Sequence, residues 1–366
     1  MPLQTVGKEM IDAAKKIRAG MVLLEQRYTG MSLPTREFSV ATLKKLFKVP
    51  QSVKDVALFG EKTKDRLPGV KIILFGCSHG GTVAALARKY FSHIFDGAIL
   101  SSAPLEIQLE NEQYAEVLGR DFSNQELGGS DQCLGVLRDA HSAIGDRLST
   151  PEGRQLLVEK FGLRQGDLEG SEAQTAFTHY GATTGVDLQY NDPECEKDFC
   201  NIRRICMRLT TGQGPPLDLL ADIYKTNKPS RKSLVESIQQ YLAMLKDDRT
   251  SDKKRMSFFD SCTSTGLFAT CGHASCPFFT RPDRDWLFFA RWVCEVGFGL
   301  SFDEIRDGIA EFNAYVGNFR GTTNILSING NADPWYPSSI YEEGKGPEVE
   351  MVQDASHCYW CDVLDE

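Results

Sequence analysis

No stretch of this sequence reaches the ~18 consecutive apolar residues that a membrane-spanning helix requires. No basic run is longer than a few residues, and the formal net charge is −9. Phosphate binding needs a positive face, so a nucleic-acid partner is not expected. Internal repeats and low-complexity tracts are absent, which argues against a solenoid or a long disordered linker. The opening segment MPLQTVGKEMIDAAKKIRAG lacks an apolar centre and a small-residue cleavage site. It is not a signal peptide, and taken alone it reads as cytosolic. Histidine is scarce, with six in 366 residues, and this narrows any search for a general base.

What is present is ordinary globular material: 41% hydrophobic and 25% charged residues. A chain this long suits one large domain with an insertion, or two domains. It can bury a core without help from a metal or a disulfide. Cysteine is the exception, with eleven residues, most of them from Cys195 onward. Such density points to an oxidising compartment or to metal binding, against the cytosolic reading of the N-terminus. The odd number leaves a thiol over if all the others pair. Cys262, Cys271, Cys276 and His273 could suggest zinc, but they lack the paired C-x-x-C units of a structural site, so no metal and no cofactor is expected.

Residues 8–19 have the spacing of an amphipathic helix, closed by Gly20. MVLLE (21–25) reads as a buried strand, and 51–65, after Pro50, as a helix. KIILF (71–75) is a second strand, Gly76–Gly81 a tight turn, Thr82–Tyr90 a helix and Ala98–Ser101 a third strand. Strand, turn, helix, strand is the βαβ unit of a parallel sheet. From about residue 106 to 250 the apolar runs shorten and helical spacing dominates, as in SLVESIQQYLAMLK (233–246). Strands resume at TNILSING (323–330) and VEMV (349–352).

The turn contains Gly76-x-Ser78-x-Gly80, the nucleophile-elbow pattern of α/β-hydrolases, between an apolar strand and a small-residue helix. A serine on such a strained turn stands clear of the sheet. Its neighbours two positions either side must be small because strand and helix backbones nearly touch; Gly76 and Gly80 satisfy this and Gly81 adds room. The N–H of His79, at the helix start, can donate to an oxyanion. The motif alone is short and arises by chance; its setting between strand and helix gives it weight.

A serine hydroxyl needs a base, and in this fold the order along the chain is Ser, acid, His. His79 adjoins the nucleophile, His93 comes too early, His141 and His179 fall in the insertion and His273 lies among cysteines. His357 follows the last predicted strand and is the expected base. Asp333, in the loop after TNILSI, is the expected acid, although Asp-Pro is also a common turn pair. Asp354 is a rival too close in sequence to His357 to reach it without a sharp reversal. Cys77 is the best candidate for an unpaired thiol, and as a nucleophile it is a weak alternative to Ser78. Cys358 could tether the base loop through a disulfide or be a buried thiol. Trp335 and Trp360 are expected to pack beside the acid and base loops.

Four segments carry a resemblance to a known family. They are LEQRYTGMSLPT (24–35), FGCSHGGTVAALARKYFSHIFDGAILSSAPL (75–105), FFDSCTSTGLF (258–268) and NGNADPW through SHC (329–358). Together they resemble the serine peptidases that include Pro-X carboxypeptidase, dipeptidyl peptidase II and thymus-specific serine protease. The family triad carries over to Ser78, Asp333 and His357. The sequence departs from the family pattern at Cys77, where the family has glycine, and at His79, where it has tyrosine. Glu25-Gln26-Arg27-Tyr28 replaces EHRYYG in part, leaving Tyr28 as a site neighbour or, more simply, core. Ser264 replaces a glutamate.

The resemblance implies an α/β-hydrolase core with a mainly parallel sheet, residues 1–107 and 251–366, short at both ends relative to the family. It implies a helical cap inserted at 108–250 and disulfides rather than zinc. The implied activity is a serine exopeptidase of carboxypeptidase or dipeptidyl-peptidase type, cutting peptides near their ends and often beside proline. Lysosomal, vacuolar or secreted localisation and a homodimer are also implied. The alternatives are a carboxylesterase using the same triad, and a catalytically impaired relative that acts as a binding protein.

Overall fold

The computed structural model describes residues 8–228, 232–272, 276–280 and 286–359. His273, Trp360 and Cys361 lie outside them. The chain divides into two compact units: one built from residues up to Leu109, Asp248–Leu267 and Asp303 onward, the other from Glu110–Asp247 and Phe268–Phe302.

The first unit is organised by a four-stranded sheet. In chain order the strands among the described residues are β1 (Ile73–Cys77), β2 (Gly97–Ser101), β3 (Glu110–Asn111), β4 (Phe268–Ala269), β5 (Ile325–Gly330) and β6 (Glu348–Val352). The sheet runs β1-β2-β5-β6 with every pair parallel. In register, Cys77 faces Ser101, Ser101 faces Ile328 and Gly330 faces Val352, so the carboxyl ends of the strands lie level. Parallel strands need crossovers. The first is the helix His79–Tyr90, whose Ala85, Leu86 and Ala87 are wholly buried. Alanines let the helix lie close to β1 and β2, and Leu86 contributes roughly 1.5–3 kcal/mol of apolar burial. This is the α/β architecture the sequence implied, a mostly parallel sheet with many helices.

Two expectations fail near the N-terminus. MVLLE is not a buried strand: residues 21–25 pair into no sheet among the described residues, and Val22 is 69% exposed. An apolar run records a tendency to burial, but a strand also needs a partner for its backbone groups. The first helix spans Lys8–Lys16, and Arg18, not Gly20, takes the left-handed conformation behind it (φ 55°). Ala19 N–H donates to Ala14 O and Arg18 N–H to Lys15 O, the paired bonds of a Schellman end. β1 starts at Ile73 rather than Lys71, and the helix expected over 51–65 spans Val49–Arg66, with Pro50 inside its first turn, where a missing N–H costs nothing. Tyr28 is core: its buried ring meets Phe38 and Phe47 edge-on, at 5.9 and 5.8 Å between centroids.

The second unit is helical apart from the short parallel pair β3–β4. Its helices carry side-chain caps at Ser130, Thr150, Asn201 and Ser233. Phe161, Phe177 and Tyr224 pack edge-to-face at 5.0–5.8 Å. A Cys133–Cys206 disulfide joins the helices Asp131–Leu148 and Ile202–Thr211. Cys195–Cys200 and Cys271–Cys276 close short loops. The last pairing occupies two of the thiols that a zinc site around His273 would have used.

Candidate active site

β1 ends at Cys77 and the helix His79–Tyr90 begins directly after Ser78, so a single residue makes the whole turn. Ser78 has φ 53° and ψ −129°, a strained conformation for a side-chain-bearing residue. Its N–H donates to Ser101 O (2.8 Å), which fixes the turn to the end of β2. The turn is half-buried, and His79 supplies the first backbone N–H of the helix.

The crowding is not distributed as the motif suggests. A Cβ on Gly76 would lie 2.3 Å from Gly80 O, and one on Gly81 would lie 2.7 Å from the Ala103 Cβ. A Cβ on Gly80 would meet nothing within 4 Å. Gly80 contributes its main chain to the close approach, and only Gly76 and Gly81 must lack a side chain.

The segments carrying Asp333 and His357 lie beyond the ends of β5 and β6. Asp333 is 0% and His357 4% exposed. His357 Nδ1 lies 2.9 Å from Asp333 Oδ2. The other carboxylate oxygen, Oδ1, accepts from Trp335 N–H at 2.8 Å, an Asx turn that fixes the carboxylate plane. A carboxylate accepts, so the contact calls for a proton on Nδ1; in a neutral imidazole that leaves the lone pair on Nε2.

The two loops are stitched together by backbone bonds from Asn331 to Val352 O (3.0 Å) and Ala332 to Ala355 O (3.1 Å). Asn331 Oδ1 also accepts from Asp354 N–H at 2.6 Å. Gly330 is required here, because a Cβ would lie 2.0 Å from Ala355 O. The Trp335 ring lies 6.5 Å from the His357 ring, centroid to centroid.

The Ser78 turn and the His357 loop are joined covalently. Cys77 and Cys358 form a disulfide with 5.9 Å between Cα atoms. Cys77 is therefore not the unpaired thiol the sequence suggested, whereas the tether proposed for Cys358 is present. With adjacent Cα atoms ~3.8 Å apart, the link holds the Ser78 and His357 Cα atoms within about 14 Å of each other. A second anchor is Ser102, at φ 50°, whose Oγ accepts from Cys358 N–H at 3.0 Å.

Sequence reasoning missed Asp260. It ends the helix Lys253–Asp260, ahead of a π-helical turn at Ser261–Thr265. Its Oδ2 lies 3.5 Å from His79 Nε2. Burial pushes its carboxyl pKa up, opposed by His79 and by the Ser264 and Thr265 hydroxyls that donate to it. The signal was the aspartate of FFDSCTST, which is silent until the fold brings it to the elbow. Among the described residues no His, Cys, Asp or Glu group could hold a metal ion, and no helix is long and apolar enough to cross a membrane.

The sequence model of the family described as serine carboxypeptidase S28 matches residues 3–363. Mouse (Mus musculus) thymus-specific serine protease is 27% identical over 358 residues, covering 93% of this chain and 69% of that protein. Bovine (Bos taurus) lysosomal Pro-X carboxypeptidase is 35% identical over 361 residues, covering 91% of this chain and 67% of that protein. The human (Homo sapiens) lysosomal Pro-X carboxypeptidase is 34% identical over 351 residues, covering 91% and 68%. The chain belongs to the serine carboxypeptidase S28 family and is a serine peptidase.

Proposed function

We propose that this peptidase cuts peptides near their chain ends, beside proline, through an acyl-enzyme on Ser78. His357 takes the serine proton at Nε2 as Oγ attacks the scissile carbonyl, and then gives it to the leaving amine. Asp333 holds the tautomer through Nδ1–H and stabilises the imidazolium that forms. The His79 N–H, at a helix start, faces the charge that develops on the carbonyl oxygen. Water then repeats the sequence to release the acyl group.

The observation that carries this reading is the buried Asp333–His357 pair, 2.9 Å apart and tied by Cys358 to the residue preceding Ser78. Substrate choice rests on kinship with the Pro-X carboxypeptidases. The same kinship, with the disulfides of both units, supports a lysosomal or secreted location.

The test is a panel of short peptides with proline next to the last or the first residue pair, each with free and blocked ends, beside simple acyl esters. Parent enzyme is expected to release a terminal fragment from free-ended proline peptides, and Ser78→Ala to release none. Cleavage by Ser78→Ala at the parent rate refutes the nucleophile. Turnover of esters alone refutes the peptide assignment.

A further inference from the structure

We propose that Cys77 and Cys358 are positioning residues for the base, and that the disulfide between them is required for the acylation step. The inference rests on the Ser78–Asp333–His357 reading above.

Three observations lead to it. The bond joins the residue immediately before the nucleophile to the residue immediately after the base, across a sequence separation of 281. The hydrogen bonds from Ser78 N–H to Ser101 O and from Cys358 N–H to Ser102 Oγ support the same approach. Cys358 itself sits at φ 58°, a conformation uncommon outside glycine. It is held there by the disulfide on one side and by its N–H to Ser102 Oγ on the other (3.0 Å). Finally, Asp333 Oδ2 meets His357 at Nδ1, so the direction of Nε2 also depends on where the loop that carries the ring is held. A hydrogen bond at Nδ1 sets the tautomer, while the placement of the ring follows the loop between β6 and Cys358. Tying the following residue to the elbow fixes that loop against the Ser78 turn.

The bond is chemically reversible. A dithiol reductant attacks one sulfur, the S–S bond breaks, and a mixed disulfide forms. The second thiol of the reductant displaces it and leaves as a cyclic disulfide. Two electrons and two protons end on Cys77 and Cys358 as thiols. Cys77 is half-buried on the elbow and Cys358 is buried, so Cys77 is the sulfur within easier reach.

The variants Cys77→Ser, Cys358→Ser and the double variant separate positioning from folding. Each is compared with the parent in peptide hydrolysis, in the rate of Ser78 labelling by a fluorophosphonate and in thermal melting. Displacement of a reacting group by about 1 Å costs about 10²-fold, so all three variants are expected to lose about 10²-fold in kcat and in labelling rate. KM should stay within about threefold, because substrate binding is not the step affected. The double variant should lose no more than either single one, since both singles break the same bond.

Should the variants fail to fold, graded reduction of parent protein substitutes for them. Alkylation and mass mapping then show which cysteine pair opens as activity falls, and the Cys77–Cys358 pair should open in step with the loss and regain activity on reoxidation. Variants that label at the parent rate, or activity that persists after this pair is alkylated, overturn the inference. A parent that labels beside variants that label equally fast overturns this inference alone; a parent that does not label at Ser78 overturns the triad reading and this inference with it.

Discussion

Replacing Asp333 by asparagine tests the tautomer argument with almost no change in shape. Asparagine Oδ1 can still accept from Trp335 N–H, now at 2.8 Å. The other position becomes an NH₂ group facing Nδ1 of His357 across 2.9 Å. Two donors cannot share that contact, so the imidazole moves its proton to Nε2 and loses the lone pair that receives the serine proton. The imidazolium also loses its counter-charge. At an effective dielectric of about 20, a unit pair 2.9 Å apart is worth about 6 kcal/mol. An independent guide is the loss of about 10⁴-fold in kcat when a triad aspartate becomes asparagine, which is about 5 kcal/mol of barrier. The two figures agree.

The assay is steady-state hydrolysis of a proline peptide, read as kcat and KM separately, with Asp354→Asn as a control. Asp333→Asn should lose about 10⁴-fold in kcat with KM nearly unchanged. Asp354 sits at φ 58°, which asparagine tolerates well, so its variant should keep kcat within about threefold. Near-parental kcat in Asp333→Asn, or a loss concentrated in Asp354→Asn, would refute the reasoning.

Other consequences follow from burial and crowding. His141 is fully buried, donates from Nδ1 to Leu137 O (2.9 Å) and accepts at Nε2 from the Thr183 hydroxyl (2.6 Å). Burial pushes its pKa down from 6.5 to about 4. Because the folded value is depressed, the unfolded chain binds the proton first. The stability held by neutral His141 is therefore complete above pH 6.5 and is lost as pH falls towards 4, amounting to about 3 kcal/mol at the end. Urea melts of parent and His141→Gln at pH 7.5 and pH 4.5 should show the gap between them shrinking by about 2.5 kcal/mol; an equal gap at both pH values contradicts this. At the elbow, Gly76→Ala should lose about 10²-fold in activity, because backbone at 2.3 Å must move, whereas Gly80→Ala, with open space, should retain it. Equal effects of the two would show that the close approach has been misplaced.

Much of the sheet was legible because central parallel strands are continuous apolar runs: IILF, AILS and ILSI stand out between turn residues. MVLLE has the same look and no sheet partner, a fact that depends on chain far away. The helix 234–246 was readable from its period, with Ser233 as its cap. In the site, the residue types and their order pointed to Ser78, Asp333 and His357, but no pattern states a distance. Asp333 stands out in the sequence because it follows the TNILSI strand in a turn-rich loop; the Asx turn that fixes its carboxylate becomes visible only in the structure. The Cys77–Cys358 link was half legible. A cysteine beside His357 suggests a tether, but pairing cannot be deduced from spacing, and by sequence alone Cys77 reads as the odd thiol. Gly80 was misjudged because the motif names residues and not the atoms that touch. Asp260 was invisible because its partner, His79, lies across the fold.

The most direct measurement is the site of covalent labelling by a fluorophosphonate. Folded parent protein is incubated with the probe at neutral pH, digested, and the adduct located by mass spectrometry, with heat-denatured protein and His357→Ala alongside. A single adduct is expected on Ser78 of the folded parent, with none on denatured protein and a labelling rate reduced about 10³-fold or more without the base. An adduct on another serine, or none on folded protein whose disulfides are intact, would contradict the assignment of Ser78 as the nucleophile.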